Sequence, residues 1–259
     1  MKDITAPELP HGAPELRVLT RADLIDALRL GWRDFRSAPV FGLFFAGVYV
    51  VAGLAILWLL GATGNTVAAL PLILGFPLLG PFVAVGFYEI SRRLQAGQAL
   101  DWKSVLGVVW REKDRQMPSI AAIVLIFFLF WNFLAHMIFA LFMGLQVMTN
   151  ISSSFEVFLT PNGLMMLAVG TTVGGVFSFL LFALMAIALP MLLDREVDFM
   201  TAMITSFSTV TENLSVMLVW GIIVAVLLLV GMIPAFLGLF VVLPLLGHAT
   251  WHVYDKARS

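Results

Sequence analysis

The chain has no cysteine among its 259 residues, which removes disulfides, thiolate metal ligands and thiol nucleophiles. Charge is scarce. Asp, Glu, Lys and Arg make up 12% of the residues, against about 25% in an ordinary soluble domain. The net charge of −1 gives no footing for a nucleic-acid partner. There is no phosphate-binding glycine loop, no Ser–His–Asp spacing and no paired carboxylate inside an apolar stretch. The first 39 residues carry charges throughout and hold no apolar run of the kind a signal peptide needs. No cofactor and no metal are expected.

Apolar residues are what the chain has in excess: 61% of it, with a mean hydropathy of +0.99. Six stretches have the length and composition to cross a bilayer: 40–60, 67–88, 119–143, 163–193, 214–230 and 232–251. If all six cross, the fifteen Lys and Arg residues fall on one side. Lys2, Arg17, Arg21, Arg29, Arg33 and Arg36 precede the first stretch, and Arg92, Arg93, Lys103, Arg111, Lys113 and Arg115 lie between the second and third. Arg195 follows the fourth, and Lys256 and Arg258 follow the sixth. The three opposite connections carry no cation, and Glu156 is their acid. Cations gather in cytoplasmic segments, so this pattern predicts six spans with both termini cytoplasmic.

The chain also repeats itself. Asp23-Leu-Ile-Asp-Ala-Leu-Arg-Leu-Gly-Trp32, Asp101-Trp-Lys-Ser-Val-Leu-Gly-Val-Val-Trp110 and Asp198-Phe-Met-Thr-Ala-Met-Ile-Thr-Ser-Phe207 align from Asp to aromatic. The first two run on as Trp32-Arg33-Asp34 and Trp110-Arg111-Glu112. Pro77-Leu-Leu-Gly80 and Pro244-Leu-Leu-Gly247 echo each other in the hairpins. The expected architecture is all-α: three parallel repeats at about 20–90, 101–193 and 198–252. Each is an amphipathic cytoplasmic interface helix followed by a transmembrane hairpin. A flexible cytoplasmic tail is expected over 1–19 and a short cytoplasmic tail over 253–259. Thr20 or Asp23, Asp101 and Asp198 can cap the three short helices. Leu24, Ile25, Leu28, Trp32 and Phe35 form the apolar stripe of the first. Arg29, Arg33, Arg36, Arg92 and Arg93 would meet anionic headgroups, at roughly 1 kcal/mol each near the surface. Glu89 also admits a local ion pair with Arg92 and Arg93.

Pro190-Met-Leu-Leu-Asp-Arg-Glu-Val-Asp-Phe-Met-Thr-Ala-Met203 and Pro244-Leu-Leu-Gly-His-Ala-Thr-Trp-His-Val-Tyr254 resemble signatures of an uncharacterised family of proteobacterial integral membrane proteins. Some of its members carry the label cytochrome c oxidase subunit I. The resemblance runs from about Leu24 to Tyr254 and implies a bacterial inner-membrane protein without supplying a reaction. An oxidase core needs more histidines in its spans than His136, His248 and His252 provide. What the label leaves is an accessory or assembly partner of a respiratory oxidase.

Three groups of residues invite a functional reading. Asn132 and His136 share a helical face, and with Thr171 and Thr172 they form a polar intramembrane stripe. The alternative for them is helix-to-helix hydrogen bonding. Asp194, Arg195, Glu196 and Asp198 cluster at one end of the fourth stretch, and His248 and His252 share a face at the end of the sixth. They serve a substrate or docking site, or else cap and solvate helix ends. Gly170-x-x-x-Gly174 permits close helix packing, within the bundle or in a homo-oligomer. Pro71, Pro77, Pro81, Pro190 and Pro244 mark kinks.

The expected function is non-catalytic binding of lipids or other membrane proteins such as oxidase subunits. The alternative is a transporter or channel for a small neutral or apolar solute. A lipid-acting enzyme would require His248, His252 and the Asp194 cluster to converge.

Overall fold

The computed structural model describes residues 9–63, 66–144 and 158–258, of which 63 and 66–78 by backbone alone. Glu156 and the side chains of Pro71 and Pro77 therefore lie outside the described residues. The fold is all-helical: α1 Arg21–Ser37, α2 Pro39–Thr63, α3 Thr66–Gln95, α4 Trp102–Glu112, α5 Met117–Met143, α6 Pro161–Met185, α7 Ala188–Asp194, α8 Phe199–Glu212, α9 Leu214–Met232 and α10 Leu239–Arg258.

Among the described residues, four segments are long and apolar enough to cross a membrane: Pro39–Ala62, Met117–Met143, Pro161–Asp194 and Leu214–Met232. They coincide with the first, third, fourth and fifth expected stretches. The second expected stretch lies on α3, half of it described by backbone alone. The sixth lies on α10, whose last turns carry Asp255, Lys256 and Arg258.

The three short amphipathic helices start where their caps predict. Thr20 and Asp23 form a reciprocal capping box on α1. Asp101 accepts from the Ser104 N–H, and Asp198 from the Thr201 N–H. The fourth expected stretch is not one helix. Pro190 has no N–H, and a proline ring clashes with the carbonyl four residues back, here that of Ala186. The chain breaks there into α6 and α7. Ser206 of α8 fills the gap: its Oγ accepts from the Ile187 N–H at 3.1 Å and donates to the Ala183 carbonyl at 2.7 Å.

Burial is lopsided. The closed core takes the last part of α3, the start of α5, the end of α6 with α7, the start of α9 and the second half of α10. Leu192, Trp220, Trp251 and Tyr254 are sealed there, and every cation of the described helices lies at this same end. The other half of the bundle stays open. No residue in the most apolar stretch of α5 is buried, and Ile126, Phe130, Phe133, Met137 and Leu141 face outward. Only an apolar solvent tolerates that surface.

Two expectations need correction. The segments 9–19 and 253–258 are not loose tails. Arg17 N–H donates to the Ala257 carbonyl, Leu19 N–H donates to the Asn213 side chain, and Val253, Tyr254 and Ala257 are buried. Nor does the stripe Leu24–Phe35 form one membrane-facing side of α1. Leu24, Ala27, Gly31, Asp34 and Phe35 are buried, while Ile25 and Trp32 are exposed. The buried face packs on α10, and Gly31 permits it: a Cβ there would lie 2.7 Å from the Ala249 backbone nitrogen.

Candidate functional site

Helix α10 presents His248 and His252 one turn apart. Helix α1 runs beside it in the opposite sense, with Arg17 against Ala257 and Gly31 against Ala249. That antiparallel register carries Asp34 to His252: Asp34 Oδ2 and His252 Nε2 are 2.6 Å apart. A carboxylate only accepts, so His252 donates through Nε2. Helix α3 brings Ser91, whose Oγ is 2.9 Å from His248 Nδ1. None of the four residues is more than 1% exposed. His248 Nε2 and His252 Nδ1 have no hydrogen-bond partner among the described residues. From the rim, Arg33 reaches Asp34 Oδ1 at 3.4 Å.

The electrostatics follow from this packing. Burial pushes the Asp34 carboxyl up, but the hydrogen bond and charge of His252, joined by Ser91, more than reverse it, and the group sits below its ordinary value. One layer outward, Glu89 is fully buried and held by Arg92 at 2.6 Å and Arg93 at 2.6 Å. Gln95 accepts from the Trp251 indole N–H and donates to Asp255. Asp194 accepts from the Tyr254 hydroxyl and from Arg258, each at 2.8 Å. Burial pushes the Tyr254 phenol up, and Asp194 adds to the shift, so it remains a donor. Glu112 of α4 is buried too. Burial raises its carboxyl despite Arg115 at 2.7 Å, and its Oε2 has no hydrogen-bond partner among the described residues.

The expected site residues are thus redistributed. His248 and His252 meet Asp34 and Ser91, while Asp194 meets Tyr254 and Arg258. Glu196 ties down the N-terminal segment through backbone bonds with Pro10 and Gly12, Arg195 reaches Asp194 only at 3.8 Å, and Asp198 is a helix cap. Among the described residues, no group of three or more His, Asp or Glu side chains is placed to hold a metal ion.

The polar stripe also differs from expectation. Asn132 bonds the Phe128 carbonyl, His136 the Asn132 carbonyl and Thr172 the Ala168 carbonyl, all within their own helices. His136, Thr171 and Thr172 are exposed rather than turned into the bundle. Thr171 and Ser178 edge a cavity of about 790 Å³ between α5 and α6, otherwise lined by apolar and glycine residues. Gly174 packs within the chain, where a Cβ would lie 2.7 Å from the Trp131 ring. Of the headgroup cations, Arg29, Arg33 and Arg36 are exposed on α1, whereas Arg92 and Arg93 are engaged by Glu89.

Asp34, Ser91, Gln95, Tyr254 and Arg258 were not singled out in the sequence. Two signals point to them. The alignment of Asp34 with Glu112 places two acids one residue past an arginine on amphipathic helices, and both are buried. Tyr88-Glu89-x-x-Arg92 and Tyr254-Asp255-x-x-Arg258 share one spacing, and each forms an ion pair across one turn.

A family model described as "Predicted integral membrane protein (DUF2189)" matches residues 69–194. The matched segment contains Glu89, Ser91 and Asp194, and excludes Asp34, His248 and His252. No curated protein and no solved structure matches the chain. The family match and the apolar helices together make this a multi-pass integral membrane protein with no assigned activity.

Proposed function

We propose that this protein is a six-span, non-catalytic binding partner of other proteins in a bacterial inner membrane, with both termini cytoplasmic. Its most specific form is an accessory or assembly partner of a respiratory oxidase. The carrying observation is the contrast between the two halves of the bundle. At the basic end, buried charges are satisfied largely by one another and the core is closed. At the other end, apolar faces of α5, α6 and α9 stand exposed. A rigid base with open apolar helices suits the docking of other transmembrane helices or lipid chains.

Two further features support the three-unit arrangement. Each short helix packs on the closing helix of another unit: α1 on α10, α4 on α3, and α8 on α6 and α7. Each also keeps an exposed apolar row: Ile25 and Trp32, then Trp102, Leu106 and Trp110, then Met200, Ile204 and Phe207. Such rows seat a helix in the membrane interface. With Arg29, Arg33 and Arg36 beside the first of them, anionic headgroups are the lipid partners of this reading.

The transporter alternative draws on the cavity beside Thr171 and Ser178 and on a second one of about 630 Å³ between α3, α5, α6 and α9. Both are lined mainly by apolar side chains, which restricts that alternative to apolar or small neutral solutes.

The deciding experiment is purification of the tagged chain from its native membrane in mild detergent, with mass spectrometry of what accompanies it. Stoichiometric oxidase subunits, lost when the α1 cations are neutralised, are the expected result. Recovery of the chain alone, or only with further copies of itself, would overturn the accessory reading and favour transport.

A further inference from the structure

We propose that the Asp34–His252–Ser91–His248 cluster is a proton-binding switch, which seals α1 onto α10 while the His248 imidazole is neutral and releases it when that ring takes up a proton. The inference stands on the geometry of the cluster and does not depend on the partner-binding reading.

The cluster sits on a seam. Asp34 belongs to α1, Ser91 to α3, and both histidines to α10. These are the first and last parts of the chain, joined through side chains rather than through sequence. Asp34 and His252 are hydrogen-bonded between the buried faces of α1 and α10, and an α1–α10 ion pair, Lys256 to Asp26 at 3.7 Å, lies at the more exposed edge.

Proton counting shows what the closed state holds. His252 donates Nε2–H to Asp34. His248 has one nitrogen engaged with Ser91 and Nε2 unpaired. If Ser91 donates to Asp34, His248 Nδ1 is a donor and Nε2 is bare. A neutral His248 therefore fits the enclosure. A second proton on that ring places an N–H donor at Nε2, where no acceptor lies among the described residues, since that nitrogen is sealed from solvent.

The surrounding charges do not relieve this. From α1 the cluster faces Asp34, already bonded to His252, and Arg33, a cation that opposes further positive charge. From α3 it faces uncharged Ser91 and the Phe87 ring, edge-on to His248 at 5.5 Å, while Glu89 is neutralised by Arg92 and Arg93. From α10 each histidine faces the other. Helix α2 presents Phe45 and Gly42 to this region, with no charge. Parting α1 from α10 hydrates the His248 ring and lets it take a proton. By linkage, proton uptake in the open form favours opening as pH falls through the ordinary imidazole value of about 6.5.

Amide hydrogen exchange of the full chain in nanodiscs, corrected for intrinsic rates, tests the switch. Exchange in α1 at residues 24–36 is expected to rise at least tenfold between pH 8 and pH 5, with α5 and α9 unchanged. His248→Gln keeps a hydrogen-bonding group for Ser91 but does not titrate, and it should flatten that rise while leaving α1 protected at pH 8. His248→Asn, which also does not titrate, is the second variant, should the first fail to yield a monodisperse protein. Equal α1 protection at pH 8 and pH 5, a rise shared equally by α5 and α9, or a rise unchanged in either variant would overturn the proposal.

Discussion

Asp34 and His252 lie 218 positions apart in the chain and 2.6 Å apart in the fold. Their contact closes the bundle between its first and last helices. Removing one partner of a buried hydrogen bond to a carboxylate costs roughly 1–3 kcal/mol, because the other is left unsatisfied. Asp34→Ala and His252→Ala should each lower unfolding stability by about that much. The double variant should lose clearly less than the sum of the two. Denaturant midpoints of the four proteins of the cycle measure the coupling. Strict additivity would mean that the pair contributes nothing as a pair.

Ser206 holds together a broken span. With alanine there, the Ile187 N–H and the Ala183 carbonyl lose their shared partner inside the core. The expected loss for Ser206→Ala is about 1–3 kcal/mol, with added exchange at the Ile187 amide. Ser208, exposed on the same helix, serves as control, and Ser208→Ala should change stability by less than about 0.5 kcal/mol.

Two glycines should respond in opposite directions to alanine. Gly31→Ala drives a methyl group into the Ala249 backbone and should destabilise by about 1–3 kcal/mol despite alanine's better helix propensity. Gly107 lies mid-helix in α4 with nothing within 4 Å of its would-be Cβ. Gly107→Ala should stabilise by up to about 1 kcal/mol. Thermal unfolding followed by tryptophan fluorescence distinguishes the two.

The start of α1 should fray in acid. The hydrogen bond from Arg17, against the opposing effect of burial and with help from Thr20, lowers the Asp23 carboxyl well below its ordinary value near 3.8. A depressed carboxylate stabilises the fold above its unfolded value, and that contribution fades as pH falls toward the folded one. Amides of residues 21–24 should therefore lose protection as pH drops below about 4. In Asp23→Asn the protection should be lower at pH 7 and should not fall further in that window.

The cations of α1 and α3 should separate by function. Arg29→Gln, Arg33→Gln and Arg36→Gln together are expected to reduce co-purified anionic lipid, each contact being worth roughly 1 kcal/mol. Arg92→Gln with Arg93→Gln should instead reduce stability, because it leaves Glu89 buried without a cation. Native mass spectrometry reports the lipid and unfolding reports the stability. Equal lipid loss from both sets would show that Glu89 does not engage its arginines.

Some of this was readable without the fold. Four apolar stretches coincide with the four described segments long and apolar enough to cross a membrane, and Thr20, Asp101 and Asp198 start the helices they were expected to cap. The chain itself states these things because each depends on neighbours within a few residues: apolar length, helical period, a cap and its N–H. The segregation of cations is equally local to read, since it is only a count along the chain. What tertiary structure decided is which side chains are buried. Asp34 and Glu89 lie beside arginines in the sequence and look like surface charges, yet α10 covers Asp34 and the surrounding helices seal Glu89. His136 looked like an interior group, yet α5 turns it outward and satisfies it from its own backbone. Helical periodicity marks a face as apolar or polar but does not say which distant helix will cover it. That choice is made by packing, where Gly31 admits Ala249 and so brings Asp34 to His252.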